Sequence, residues 1–373
     1  MDKHLHIVSL DVPYPPDYGG VFDLFYKLKA LYDNGVKIHL HCFEYGRGQQ
    51  PKLNKYCESV NYYKRKLRLK GFSFRLPYIV SSRNNGDLIN NLMKDDYPVL
   101  LEGIHCTYFL NNNSLRDKKV FVRLHNIESA YYRELAGSEN NLFKKLFYIN
   151  ESHLLKKYER NIAGKATFIC VSQKDAQVFK KDFPASNVLY LPVFLPYARV
   201  NSKIGKGNFC LYHGNLSIAE NENAAVWLLD KVFHELLVTF IIAGKHPSES
   251  LKKKVAQKDN ATLFADLSAN EMEEIIRNAQ LHVIPSFNTT GIKIKLLNAL
   301  FNGRHCLVNS RTVEETGLEH LCHIADEANT FSEKLLELFP LAFDNYDIED
   351  RKLILETEYD NDKNAQQLMQ WIY

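Results

Sequence analysis

The chain has 373 residues, 45% of them hydrophobic and 24% charged; that is the composition of a soluble globular protein long enough for two domains, and it excludes a disordered chain. Its 47 basic side chains against 44 acidic ones leave a formal charge of +3, too small to argue for nucleic acid, and no RNP-like, zinc-finger or helix-turn-helix pattern supplies that partner. The N-terminal apolar run is too short for a signal peptide and no later stretch is long enough to span a membrane, so the expected location is the cytoplasm.

The first half alternates apolar runs with helical patterns: strand His6–Leu10, helix Val21–Tyr32, strand Lys37–Phe43, helix Leu88–Met93, then strands Val99–Leu101 and Val120–Leu124. Nearly all-apolar strands in a βαβ rhythm predict a parallel sheet covered on both faces. Between Asn140 and Ile162, Phe143, Phe147, Leu154, Tyr158 and Ile162 recur at helical spacing, which predicts a stripe facing the core. After Thr167–Val171, a helix and the strand Val188–Leu191, a Pro/Gly/Ser/Lys-rich stretch reads as a linker, placed at 196–206 between domains 1–195 and 207–345.

The rhythm then restarts with strand Phe209–His213, a helix from about Asn221, strand Val238–Ala243, a helix near Leu251, strand Thr262–Phe264, helix Glu271–Asn278, strand Leu281–Ile284, helix 292–301 and strand His305–Val308. Residues 346–373 form a helical tail, with Ala365, Leu368, Met369 and Ile372 on one side, expected to pack back on the first domain. The fold class is therefore α/β with two doubly wound, Rossmann-like domains, and such domains facing across a cleft bind ligands beyond the carboxyl ends of their strands. Seven cysteines without C-x-x-C spacing read as buried, reduced hydrophobes. Fourteen histidines without H-E-x-x-H or a paired ligand spacing give no reason to expect a metal or cofactor.

Residues 285–303 carry the clearest chemistry. A buried strand, a small polar turn and a lysine-bearing helix ended by Gly303 follow one another, so unpaired backbone N–H groups point above the sheet. Gly291 permits close approach, Thr289 and Thr290 add hydroxyl donors, and Lys293 or Lys295 adds positive charge, which suits a diphosphate. The two lysines are two positions apart and point to nearly opposite sides, so only one of them faces the ligand. In the first half, His125 follows an apolar strand and emerges at the sheet's edge, where it can bind a sugar or orient an acceptor hydroxyl; a packed or capping histidine fits the same position. Glu128 fits acceptor binding or a first helical turn, Glu102 holds an analogous strand end, and Asp17 in its Pro-rich loop is a weaker candidate.

With these halves in this order, the chain resembles the GT-B glycosyltransferases, and among them the retaining, family-4-like group, over nearly its whole length. Asp11–Gly20 resembles the loop where paired glycines, here Gly19 and Gly20, open a helix beside the reacting phosphate and sugar. Val122–Glu128 resembles the motif that carries the family's active-site histidine, here His125. Tyr212–Ser217, with Gly214 and Asn215, resembles the donor loop, and Ile242–Lys245 the next strand and turn, ending on Lys245. The resemblance implies a nucleoside diphosphate sugar donor, a glycan or lipid-linked acceptor, retention and no metal.

Two departures stand out. The family's Glu-x7-Glu falls on Thr290 and Asn298, neither a carboxylate, and Asn298 can offer only an uncharged amide to donor ribose hydroxyls. A lysine common after the donor loop is replaced in the neighbourhood of Glu220 and Asn221, leaving Lys245 or Lys293 to supply its charge. A catalytically silent GT-B protein that binds sugar nucleotides, or a nucleotide-sugar epimerase of this fold, is the competing expectation. Within 52–74, seven basic residues (Lys52, Lys55, Lys64, Arg65, Lys66, Arg68 and Lys70) against Glu58 alone, interleaved with Tyr56, Tyr62, Tyr63, Phe72 and Phe74, suit peripheral contact with an anionic membrane as well as a solvated face.

Overall fold

The computed structural model describes residues 2–16, 19–139, 141–288 and 291–373. The chain divides into two compact units: Met1–Pro196 with Thr290–Ile292 and Tyr359–Tyr373, and Tyr197–Thr289 with Lys293–Glu358.

The first unit holds seven strands: β1 (Lys3–Ser9), β2 (Val36–Glu44), β3 (Ser59–Lys64), β4 (Val99–Glu102), β5 (Val120–Leu124), β6 (Thr167–Cys170) and β7 (Asn187–Tyr190). They lie in the order β3-β2-β1-β4-β5-β6-β7, and every pairing is parallel. β4 and β5 are buried along their whole length, as the apolar runs predicted for strands covered on both faces. Alternate residues feed opposite cores: Val8, Leu101, Val122 and Phe168 one, Ile7, Leu100, Phe121 and Ile169 the other. The second core is closed by helix Asn361–Ile372 through Ala365, Leu368, Met369 and Ile372, whereas the preceding helix, Asn345–Glu358, groups with the second unit. Helix Gly19–Asp33 buries Val21, Leu24, Leu28 and Leu31 at helical spacing, and beside them Asp23 and Lys27, also fully buried.

Two expectations need correction. Ser59–Lys64, hidden in the basic run, is the edge strand β3; lysine is favoured on a sheet edge because it discourages pairing with another chain. The stripe on helix Leu142–Ile162 faces the core only from Glu151 onward. Leu155, Tyr158 and Ile162 are buried, but Phe143 is 84% exposed and Phe147 41%. The first two turns pass beyond the covered stretch.

The second unit holds β8 (Cys210–Asn215), β9 (Phe240–Lys245), β10 (Ala261–Ala265), β11 (Leu281–Ile284), β12 (His305–Val308) and β13 (His323–Ile324). Their order is β10-β9-β8-β11-β12-β13, again all parallel. In both sheets the strand order reverses beside the first strand, between β1 and β4 and between β8 and β11, the switch point where doubly wound sheets bind ligands. Residues of the expected linker run along this unit, with Asn201 N–H donating to the Phe301 carbonyl at 2.7 Å and Gly205 pairing with Phe343 at 2.8 and 3.0 Å.

Candidate functional site

At the switch point of the first unit, buried charges converge. Asp23 and Lys27, one turn apart on helix Gly19–Asp33, form an ion pair at 3.2 Å, and Lys27 Nζ lies 2.7 Å from Glu102 Oε1 at the end of β4. Glu102, also buried, is thus held by the charge of Lys27. Arg123, on β5, reaches Asp23 Oδ1 at 3.1 Å and anchors its guanidinium on the Leu191 and Pro192 carbonyls at 2.6 and 2.8 Å. Phe194 N–H donates to the same Asp23 Oδ1 at 2.8 Å. Burial alone would raise the Asp23 carboxyl, but Arg123, Lys27 and His125 outweigh it and hold it well below the usual carboxylate range.

His125 follows β5 and completes the cluster, with Nε2 3.1 Å from Asp23 Oδ2 and 3.7 Å from Glu102 Oε2. An ionised Asp23 can only accept, so the shared proton belongs to His125 Nε2. Nδ1 is left on the side of Gly20, where a Cβ would lie 3.9 Å away. Asp23 thereby fixes both the ring and its tautomer. Asp23, Glu102 and His125 are the one group of metal-ligating side chains close enough to share an ion among the described residues. The positive charges of Lys27 and Arg123 already balance the two carboxylates.

Glu128 opens helix Glu128–Ser138 and is buried. Burial and the nearby Glu159 push its carboxyl up to about 8; burial pushes Glu159 to about 7, although the Glu159 carboxylate accepts from Ser129 N–H at 3.2 Å. Near neutral pH Glu128 is thus a protonated donor despite its place at a helix N-terminus. Between its ordinary 4.5 and about 8 the folded protein keeps a proton that the unfolded chain has released. This group's stabilisation is fully present below that window and lost as pH rises through it. Glu128→Gln is expected to flatten the fall in melting temperature between pH 5 and 8 and to melt roughly 2–6 °C above the parent at pH 8. An unchanged slope in scanning calorimetry would remove Glu128 from the titrating pair.

In the second unit the corresponding elements are β8, β11 and helix Ile294–Asn302. Lys295, in the first turn of that helix, donates to Tyr212 Oη at 3.0 Å and Asn221 Oδ1 at 2.9 Å, with Nζ 4.8 Å above the Tyr212 ring. Burial lowers its ammonium to about 8, against the pull of Glu220. Asn221 in turn donates to the Asn215 carbonyl at 2.9 Å and lies 3.4 Å from where a Cβ on Gly214 would be, which ties the loop after β8 to the lysine. Glu220 accepts from Ser286 Oγ at 3.0 Å, and Ser286 exchanges bonds of 2.9 and 2.7 Å with the Asn309 side chain.

The other expected residues have different places. The Asn215 side chain closes its own turn, accepting from Ser217 N–H and Oγ at 3.1 and 2.8 Å. Asn298 spends its amide oxygen on Asn302 Nδ2 at 2.9 Å. Lys293 is the N-cap of the helix and Lys245, at the end of β9, is exposed. The lysine that bonds to Asn221 and feels the charge of Glu220 is Lys295. Gly291 has a φ of +64°, the left-handed region that favours glycine, and groups with the first unit. Gly19 opens its helix. Asp17, Thr289 and Thr290 lie outside the described residues.

A model of the glycosyl transferases group 1 family matches residues 207–340. The chain is also 30% identical over 335 residues, 84% of each sequence, to an uncharacterized 44.6 kDa protein in the cps region of Klebsiella pneumoniae. The chain belongs to the group 1 glycosyltransferases. Among solved structures, TarM shares 11% identity with a TM-score of 0.71, covering 100% of this chain and 99% of its own. A mutant of S. aureus TarM, in complex with fondaparinux, α-GlcNAc-glycerol and UDP, shares 10% at a TM-score of 0.66 with both chains covered completely. At those identities the likeness establishes the fold, two Rossmann-like domains of the GT-B kind.

In this group 1 glycosyltransferase, sequence reasoning missed Asp23, Lys27 and Arg123, which hold His125, and Tyr212 and Asn221, which hold Lys295. A signal existed for the first three. Arg123 interrupts an otherwise apolar strand, and Asp23 and Lys27 sit four apart next to the buried stripe of their helix, where a charge persists only if paired.

Proposed function

We propose that this glycosyltransferase transfers a sugar from a nucleoside diphosphate sugar to a glycan or lipid-linked acceptor, with retention and without a metal, in the assembly of a surface polysaccharide or related glycoconjugate. The observation that carries the reading is Lys295, fixed by Tyr212 and Asn221 at the start of the helix after β11. A departing diphosphate gains charge as the glycosidic bond breaks, and a preorganised ammonium at a helix N-terminus stabilises that charge without reorganising. On the acceptor side, Asp23 leaves His125 Nδ1 open to a sugar hydroxyl, and Glu128, titrating near neutrality, suits proton exchange with an acceptor. The charge balance around Asp23 and Glu102 supports a reaction without a bound cation. The pathway reading is supported by the cps-region relative, and a UDP-type donor by the UDP named with S. aureus TarM.

A silent, nucleotide-binding role is favoured by one observation, the Asn298 amide engaged by Asn302 in place of a ribose-binding carboxylate. Calorimetry against UDP, GDP, ADP, CMP and their sugars, followed by donor consumption with and without EDTA, separates the readings. One tightly bound nucleotide whose sugar is consumed equally in EDTA is the expected result. Binding without consumption would establish the silent reading, and no binding at all would overturn both.

A further inference from the structure

We propose that the first unit docks on an anionic lipid bilayer through two neighbouring elements, the loop 64–75 and the first two turns of helix Leu142–Ile162. The loop follows β3 and exposes Leu67, Leu69, Phe72 and Phe74, with Leu69 89% and Phe74 88% open to solvent. Single exposed apolar side chains are ordinary, but four within eight residues form a surface that water disfavours. Lys64, Lys66, Arg68, Lys70 and Arg75 stand exposed among them, and no acid occurs between Lys64 and Asp87.

The helix repeats the chemistry independently. Leu142, Phe143, Leu146, Phe147 and Ile149 are exposed, with Lys144 and Lys145 between them and no acid from Leu142 to Asn150; Glu139, ahead of the helix, accepts from Asn141 N–H at 2.8 Å. The two elements meet at Tyr78. Its hydroxyl accepts from Arg68 N–H at 2.8 Å, and its own N–H donates to Glu151 at 2.8 Å, half a turn past Ile149. The Arg65 guanidinium stacks 5.2 Å over the same Tyr78 ring.

Apolar tips among cations that outnumber the acids beside them match the chemistry of a bilayer with anionic headgroups: the tips enter the acyl boundary while the cations meet phosphate. A protein partner of ordinary surface would not require so one-sided a charge. Residues 52–58 drop out of the surface anticipated from sequence, because Leu53 is buried and Tyr56 packs edge-on against Phe25. No helix among the described residues is long and apolar enough to cross a membrane. Because every pairing in this sheet is parallel, the carboxyl ends of β3, β4 and β5 share one edge. The loop leaves that edge from Lys64, and Glu102 and His125 stand on it. A lipid-linked acceptor held in the bilayer would therefore present its head on the side where the cluster lies.

The test is flotation of the full-length protein with vesicles of phosphatidylcholine alone or mixed with phosphatidylglycerol. It needs no nucleotide, so its outcome is separate from the donor reading. Binding is expected only to the anionic vesicles and should weaken at least tenfold between about 0.1 and 0.5 M salt. The pairs Leu69→Ser with Phe74→Ser and Leu142→Ser with Phe143→Ser should each weaken it about tenfold while leaving the melting temperature unchanged, since all four side chains are more than half exposed. Absence of binding to anionic vesicles, or binding that neither pair alters, would overturn the proposal. So would light scattering that finds a dimer in the parent and a monomer in the variants, which would make a second copy the occupant.

Discussion

Asp23→Ala is expected to cost the first unit about 3–5 kcal/mol of stability, the scale for removing one partner from a buried charge network. Asp23 is fully buried and receives Lys27, Arg123, His125 and the Phe194 N–H. Its loss leaves Lys27 with Glu102 alone and Arg123 with two carbonyls, so two cations remain desolvated for one carboxylate. Asp23→Asn keeps the shape and the acceptor for Phe194 but not the charge, and should fall between the two. The pH dependence has a definite sign. The folded carboxyl titrates well below its ordinary 3.8, so its contribution is present above that value and lost as pH falls through the depressed range. Urea unfolding of the parent and both variants at neutral pH and near pH 3 checks this. A loss under about 1 kcal/mol for the alanine variant would mean that solvent, not Asp23, compensates the cations.

The alternation of strand and helix was legible because strands buried on both faces are mostly apolar, and β4, β5 and β11 each carry a single polar residue, Glu102, Arg123 and His282, in an otherwise apolar run. The strand-turn-helix at 285–303 was legible for the same reason, with β11 ending at Ile284 and the helix at Asn302. β3 escaped because an edge strand tolerates the lysines and tyrosines that elsewhere signal a surface loop. The stripe from Phe143 to Ile162 was misread for a different reason: helical periodicity reports which residues share a face, never whether anything covers it. Of the candidate site, His125 and Glu102 were accessible as strand ends. Their supports were not, because Asp23 and Lys27 arrive from a helix about a hundred positions away in the chain, and only the fold brings them to Arg123 and His125.

Nucleotide affinity is expected to fall about tenfold between pH 7 and 9, and Lys295 is the reason. Its ammonium loses its proton near 8 because burial penalises the charge. A diphosphate binds the charged form, so affinity is greatest below that value and declines above it as the free protein carries a neutral amine. The terminal phosphate does not blur the reading, since with a pKa of about 6 it is already ionised across this range. Lys295→Ala should weaken binding roughly 10–100-fold at pH 7, the scale of a lost charge-assisted contact, and should leave the remaining affinity independent of pH. Lys295→Arg stays charged throughout and should also lose the slope, while retaining more affinity than alanine. Calorimetric titration of UDP and GDP at several pH values measures all three proteins. A flat profile for the parent, or an alanine variant that keeps both affinity and slope, would move the diphosphate away from this helix. The neighbouring Lys293, the N-cap of the helix and near enough for its charge to act on Lys295, would then be the next to substitute.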